Sequence, residues 1–217
     1  MADSNTEKNK LFNSMLVPTI FIIVICLVKL LEIVLETKFG FLGNRPRNLA
    51  GINGIFTMPF VHGDIKHLFN NSTSFFVLGT ALYYFYRRVA NKVLLITWLF
   101  SGVFVWLLAR GSNHIGASGI VYGLAAFLFT SGVLRKDRPA MVIALVVTFF
   151  YGSMVWGLIP GRPGISWEGH LFGALGGVFA AFLYRYIDLP VNTPSWQNEG
   201  TIDKPNDYWK DFVNDAE

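Results

Sequence analysis

Six stretches of this chain are apolar over close to the thickness of a lipid bilayer: residues 15–35, 68–86, 93–109, 117–134, 141–159 and 169–187. A helix crosses the hydrocarbon core in about 20 residues, with a range of about 17–25. The pattern therefore predicts an all-α, polytopic membrane protein with six transmembrane helices and a long outer loop between helices 1 and 2. Composition agrees: 53% of residues are hydrophobic and 15% charged, against about 25% charged in ordinary soluble domains. The expected organisation is a polar N-terminal segment (1–14), a six-helix domain (15–187) and a polar C-terminal tail (188–217).

The formal charge is +4, but its placement carries more information. Lys and Arg fall between the apolar runs instead of forming the basic face or arm of a nucleic-acid binder, so the lipid bilayer, not nucleic acid, is the expected environment. Cys26 is the one cysteine, which excludes an intrachain disulfide and any zinc site needing two thiolates. The histidines do not group convincingly with carboxylates as ligands, so neither metal nor cofactor is expected. The first run has no small-residue cleavage pattern after it and is longer than a signal sequence requires, so it reads as a permanent anchor. Lys29 and Glu32 interrupt it at i, i+3, a spacing at which they can pair or snorkel. Pro18 falls near its start, where proline is tolerated.

Six spans put both termini on one side. Arg87, Arg88, Lys92, Arg135, Lys136 and Arg138 crowd into short loops on the face that also carries Lys8, Lys10 and Arg185. The positive-inside tendency makes that face cytoplasmic, in the cell (inner) membrane. The second, fourth and sixth spans then all begin in the outer leaflet. His67 and Asn71 open the second, one helical turn apart; Ser118 opens the fourth, a turn before Tyr122; His170 opens the sixth. Polar side chains at membrane depth are costly and point to function, and three distant stretches place theirs at one level. Gly169, Gly173 and Gly177 form a small-residue stripe that lets helices approach closely. Gly116 and Gly119 flank Ser118 with equally little bulk, so the fourth and sixth spans can bring Ser118 toward His170.

Three elements carry a resemblance: His62, His67 and Asn71 at spacing H-x4-H-x3-N; Gly116, Ser118, Gly119 and Tyr122 in G-x-S-G-x2-Y; and Gly169, His170 and Gly173 in G-H-x2-G. Their order and span parity resemble the rhomboid family of intramembrane serine proteases, in its six-helix bacterial form, over residues 15–187. The resemblance implies a serine–histidine dyad, with Ser118 as nucleophile and His170 as general base and acid. It implies His67, Asn71 and the Ser118 backbone N–H as oxyanion donors, and Tyr122 packed against the imidazole. His62 is expected to hold the outer loop by hydrogen bonding. The substrates would be single-pass or other transmembrane proteins, cleaved at or near the outer leaflet.

Plainer readings stand beside these. A serine in a membrane helix usually bonds a carbonyl of its own preceding turn, and a histidine near a helix end is commonly structural. His67 and Asn71 could simply pin the outer loop, Asn70 and Asn113 read as loop or helix-end hydrogen bonders, and Asp64, Glu168 and Asp188 are the nearest carboxylates, none expected to complete a triad. His114, four residues before Ser118, could compete as base; it is expected instead to be an exposed loop residue. Phe69 and Trp156 are candidate gate residues by position alone. The competing function is a catalytically silent relative that binds transmembrane clients in membrane quality control.

Overall fold

The computed structural model describes residues 4–135, 138–161 and 164–187. The expected tail, including Asp188, lies outside them. The described residues are helical, with no strand among them: α1 (Ser4–Val34), the short α2 (Gly54–Thr57), α3 (Ile65–Phe85), α4 (Ala90–Leu108), α5 (Ser118–Arg135), α6 (Arg138–Tyr151) and α7 (Trp167–Leu183). Short 3-10 turns punctuate the α1–α3 loop, and a longer one, Gly152–Leu158, extends α6. Four helical segments are long and apolar enough to cross a membrane: Asn5–Val34, Ala90–Leu108, Ser118–Arg135 and Ala140–Leu158. The other two expected spans fall short for different reasons. The first half of α3 carries Lys66, His67, Asn70, Asn71, Ser72, Thr73 and Ser74, and α7 has only 17 residues.

α5 is the central helix. It packs against α3, α4, α6 and α7, and its Ile120, Val121, Leu124, Phe127 and Leu128 are buried. Large side chains from α1, α3 and α4 complete that core: Phe21, Ile25, Phe75, Leu78, Leu82 and Val93. On the α7 side the packing material is backbone. A Cβ added to Gly173 would stand 1.9 Å from the Gly119 carbonyl oxygen, and one on Gly177 would stand 2.0 Å from that of Gly123. Only hydrogen fits between these helices, so dispersion contacts run backbone to backbone, the packing mode small residues permit in membranes.

Two expectations about α1 need correction. Its helix begins at Ser4, well before the apolar run, because Glu7 and Lys10 find partners on α3. The Tyr84 hydroxyl donates to Glu7 at 2.5 Å, and Lys10 stands 4.1 Å over the Tyr84 ring. Pro18 consequently sits inside the helix, where it removes a backbone donor. Nearby, the Ser14 hydroxyl turns back to the Lys10 carbonyl at 2.7 Å. Pro18 itself fills the space over Gly79 of α3. Lys29 and Glu32 do pair, at 2.8 Å, and each also holds loop backbone: Lys29 donates to the His62 carbonyl at 3.0 Å, and Glu32 accepts the Phe39 N–H at 2.7 Å.

The long loop is pinned to α4. Asn44 is buried; its amide donates to the Gly102 carbonyl at 2.7 Å, and its backbone exchanges two 2.9 Å hydrogen bonds with His114. The Arg47 guanidinium caps the end of α4 through the carbonyls of Leu107 (3.2 Å) and Ala109 (2.9 Å), groups that have no acceptor role left within the helix. Apolar Phe41, Leu49 and Phe56 remain on the loop's exposed side.

Candidate active site

The first turns of α3, α5 and α7 meet at one end of the bundle around a cavity of about 830 Å³. Its lining includes His67, Asn70, Asn71, Asn113, His114, Ser118, Tyr122, Ser166 and His170. Each first turn is fixed by its own local chemistry. Asp64 caps α3 by accepting the His67 N–H at 2.7 Å, which holds its carboxyl below the usual range. Ser166 caps α7 by accepting the Gly169 N–H at 3.3 Å. Ser118 is the first residue of α5, following Gly116 at φ +104°, a left-handed conformation that side chains rarely adopt.

Ser118 Oγ lies 2.9 Å from His170 Nε2. On the far side of the ring, Nδ1 lies 2.9 Å from the Gly157 carbonyl oxygen. A carbonyl can only accept, so the proton resides on Nδ1 and Nε2 is bare, ready to accept the Ser118 hydroxyl. The Tyr122 ring stacks on the imidazole with centroids 4.0 Å apart and planes 7° apart. Its hydroxyl donates to the Met154 carbonyl at 2.8 Å. Both carbonyls belong to the Gly152–Leu158 turn, so one backbone segment orients the imidazole and the ring beneath it. The carboxylates are engaged elsewhere: Asp64 at its cap, and Glu168 with Arg110, whose Nε lies 3.3 Å from Oε1.

His67 and Asn71 converge above Gly116. A Cβ on that glycine would stand 2.8 Å from His67 Nε2 and 3.2 Å from Asn71 Nδ2. Asn71 Nδ2 donates one hydrogen to His62 Nε2 at 3.0 Å, leaving its second for the cavity. His62 Nε2 also faces the Ala117 N–H at 3.5 Å, so His62 ties the loop to α3 and to the start of α5. Phe69 and Trp156 are exposed and do not line the cavity, although their neighbours Asn70 and Met154 do.

Two features escaped sequence reasoning. His114 is buried, not exposed: Nδ1 lies 2.6 Å from Ser166 Oγ, and Nε2 lies 3.1 Å from Ser112 Oγ. The contribution of Gly157 is a backbone carbonyl and so has no side-chain signature. Its lack of a side chain is the only trace, because a Cβ there would stand 1.9 Å from the Tyr122 hydroxyl and 3.2 Å from His170 Nδ1.

Comparison with known proteins places the chain in a family. The family model described as Rhomboid domain matches residues 47–187. This chain belongs to the rhomboid family. An uncharacterised protein of Mycobacterium tuberculosis is 34% identical over 172 residues, covering 75% of this chain and 72% of that protein. One of Mycobacterium leprae is 37% identical over 139 residues, covering 60% and 55% of the two chains. A protein of Acanthamoeba polyphaga mimivirus named as a rhomboid protein is 27% identical over 138 residues, covering 58% and 71%. Family and apolar helices together make this rhomboid a membrane protein.

Two expected results arise here. Gly157→Ala in this rhomboid pushes the Tyr122 hydroxyl, and with it the imidazole, away from the Gly152–Leu158 turn; a misplacement of about 1 Å costs about 10²-fold in rate. Should the Ser118–His170 pair be catalytic, a fall of that size in kcat, with KM little changed, is the expected measurement. The second concerns acid. Burial, with the neighbouring His67 charge adding to it, lowers the His62 pKa to about 4. The unfolded chain therefore binds a proton on the His62 ring that the folded chain refuses between about pH 6.5 and 4, and stability is lost as pH falls through that window. Protonated His62 would also turn its Nε2 from acceptor to donor against two N–H groups. Unfolding midpoints measured in detergent should drop less steeply over this range for His62→Gln than for wild type.

Proposed function

We propose that the protein is an intramembrane serine endopeptidase that cleaves transmembrane proteins at or near the outer leaflet. The observation that carries this reading is the 2.9 Å contact between Ser118 Oγ and His170 Nε2 inside a cavity bordered by His67 and Asn71. His170 Nε2 takes the Ser118 proton as Oγ attacks the scissile carbonyl carbon. The oxyanion formed meets the free Asn71 amide hydrogen, the His67 ring and the Ser118 N–H at the positive end of α5. One such donor is worth about 2.7–4 kcal/mol of transition-state stabilisation. The imidazolium, held by Gly157 and Tyr122, passes its proton to the leaving amine as the peptide C–N bond breaks. Water entering the polar cavity is then deprotonated by Nε2, attacks the acyl carbon, and frees the new carboxylate as Ser118 recovers its proton.

On this reading α1, α3, α4, α5, α6 with its 3-10 extension, and α7 are all membrane spans. The dyad end faces outward and both termini lie in the cytoplasm of a bacterial-type inner membrane. α3 and α7 cross despite their polarity and shortness because their first turns border the cavity, where water and protein satisfy polar groups that lipid would leave unpaired. A regular helix hides its peptide bonds, so substrates would unwind at the cleaved bond. The test is reconstitution in liposomes with a single-span model substrate carrying helix-weakening residues in its outer half. Wild type should release two fragments cut within that half. Intact substrate after prolonged incubation, in liposomes and in detergent, contradicts the proposal.

A further inference from the structure

His114 repeats the hydrogen-bond pattern of His170 in the same cavity. Nδ1 lies 2.6 Å from Ser166 Oγ, and Nε2 lies 3.2 Å from the Arg110 carbonyl oxygen, with Ser112 Oγ also 3.1 Å from Nε2. The carbonyl can only accept, so Nε2 carries the proton and Nδ1 accepts the Ser166 hydroxyl. With its proton committed to His114, Ser166 turns a lone pair to the Gly169 N–H at 3.3 Å. Its own carbonyl accepts the His170 N–H at 3.2 Å. Arg110 adds two further ties to the same turn, donating from its guanidinium to the Ile165 carbonyl and to Glu168. A short segment before α5 thus grips the residues that lead directly into His170.

We infer that His114 is a positioning residue for His170, acting through the Ser166 cap of α7. This rests on the proteolytic reading for its kinetic consequence, though not for its structural one. The arrangement is built for anchoring, not for a second nucleophile. Ser166 Oγ is occupied on both sides, giving its proton to His114 and receiving that of Gly169. His114 connects the start of α5 to the start of α7, the two helices that carry the dyad, and its backbone pairs with Asn44 of the outer loop. Loosening it lets the first turn of α7 shift while the α3 side of the cavity, with His67 and Asn71, stays in place.

Kinetics in liposomes with a single-span substrate, together with hydrogen exchange, tests this. Loss of a cap that allows about 1 Å of displacement should lower kcat by about 10- to 100-fold with KM within about threefold. His114→Ala and Ser166→Ala should each show it, and the double variant should be no worse than the worse single, since both break one chain of contacts. Ser166→Thr, which keeps the capping oxygen, should restore kcat to within about threefold of wild type. The rate of fluorophosphonate labelling at Ser118, which needs no substrate binding, should fall in parallel. The Gly169 and His170 amides should lose exchange protection in His114→Ala whether or not the protein is a protease. If His114→Ala unfolds, His114→Asn retains an acceptor near the Nδ1 position and should keep both protection and most of kcat. Wild-type kcat and protection in His114→Ala, losses that multiply in the double variant, or a covalent label on Ser166 would each overturn the inference. Absence of cleavage and of Ser118 labelling in the wild type, with amide protection still dependent on His114, would instead overturn the proteolytic reading alone.

Discussion

His170→Ala should abolish cleavage, lowering kcat by about 10⁴-fold or more, the scale seen when members of such catalytic units are removed. The size follows from the number of roles held by one ring. Nε2 is the acceptor 2.9 Å from Ser118 Oγ, and with Nδ1 held by the Gly157 carbonyl it is in the tautomer that can take the proton. Deleting the ring leaves Ser118 as an un-ionised alcohol and leaves no acid to protonate the amine. His170→Gln should do no better, because an amide can hydrogen-bond Ser118 but cannot shuttle its proton. His114→Ala is expected to fall short of abolition, with its loss confined to the range expected for a displaced base. Parallel measurement of kcat for His170→Ala and His114→Ala decides the assignment. Equal and complete losses in both, or survival of His170→Ala, would contradict it.

The second large effect is structural. Gly173→Ala should cost about 3 kcal/mol or more, at or above the upper end of the usual penalty for overpacking. The added methyl would stand 1.9 Å from the Gly119 carbonyl oxygen, which is backbone and cannot swing aside. Relief requires α5 and α7 to separate, and those helices carry Ser118 and His170. Cleavage should therefore fall by at least about 100-fold, well beyond what partial unfolding accounts for, because a shift of about 1 Å already costs that much. Gly152→Ala is the matched control: its methyl would meet only the Thr148 side chain, at 3.9 Å. Unfolding midpoints and kcat measured together should show both quantities falling for Gly173→Ala and neither for Gly152→Ala.

What the sequence made legible follows from membrane physics. Run lengths located α4, α5 and the α6 segment closely, because lipid leaves the backbone few alternatives. Parity brought Ser118, His170, His67 and Asn71 to one end of the bundle, since a helix fixes the depth of its first turn. The glycines of α7 announced a close approach. Other features depended on contacts between distant stretches. The helical start of α1 at Ser4 rests on Tyr84, far along the chain, so the polar run alone did not show it. His114 read as a loop residue, and it is buried because Asn44 and Ser166 close over it from opposite directions. The orienting group for His170 is a carbonyl that every residue type possesses. No side-chain pattern can mark such a group, and the neighbouring Asp64 and Glu168 are held elsewhere, by the His67 N–H and by Arg110.

The central claim is that Ser118 is an activated nucleophile. The most direct measurement is covalent labelling by a fluorophosphonate, with the modified peptide located by mass spectrometry. Wild type should carry one phosphonyl group on Ser118, and Ser118→Ala and His170→Ala should carry none. A wild-type protein that resists labelling while binding single-span clients would be the silent relative instead, and a label on any other serine would contradict the dyad.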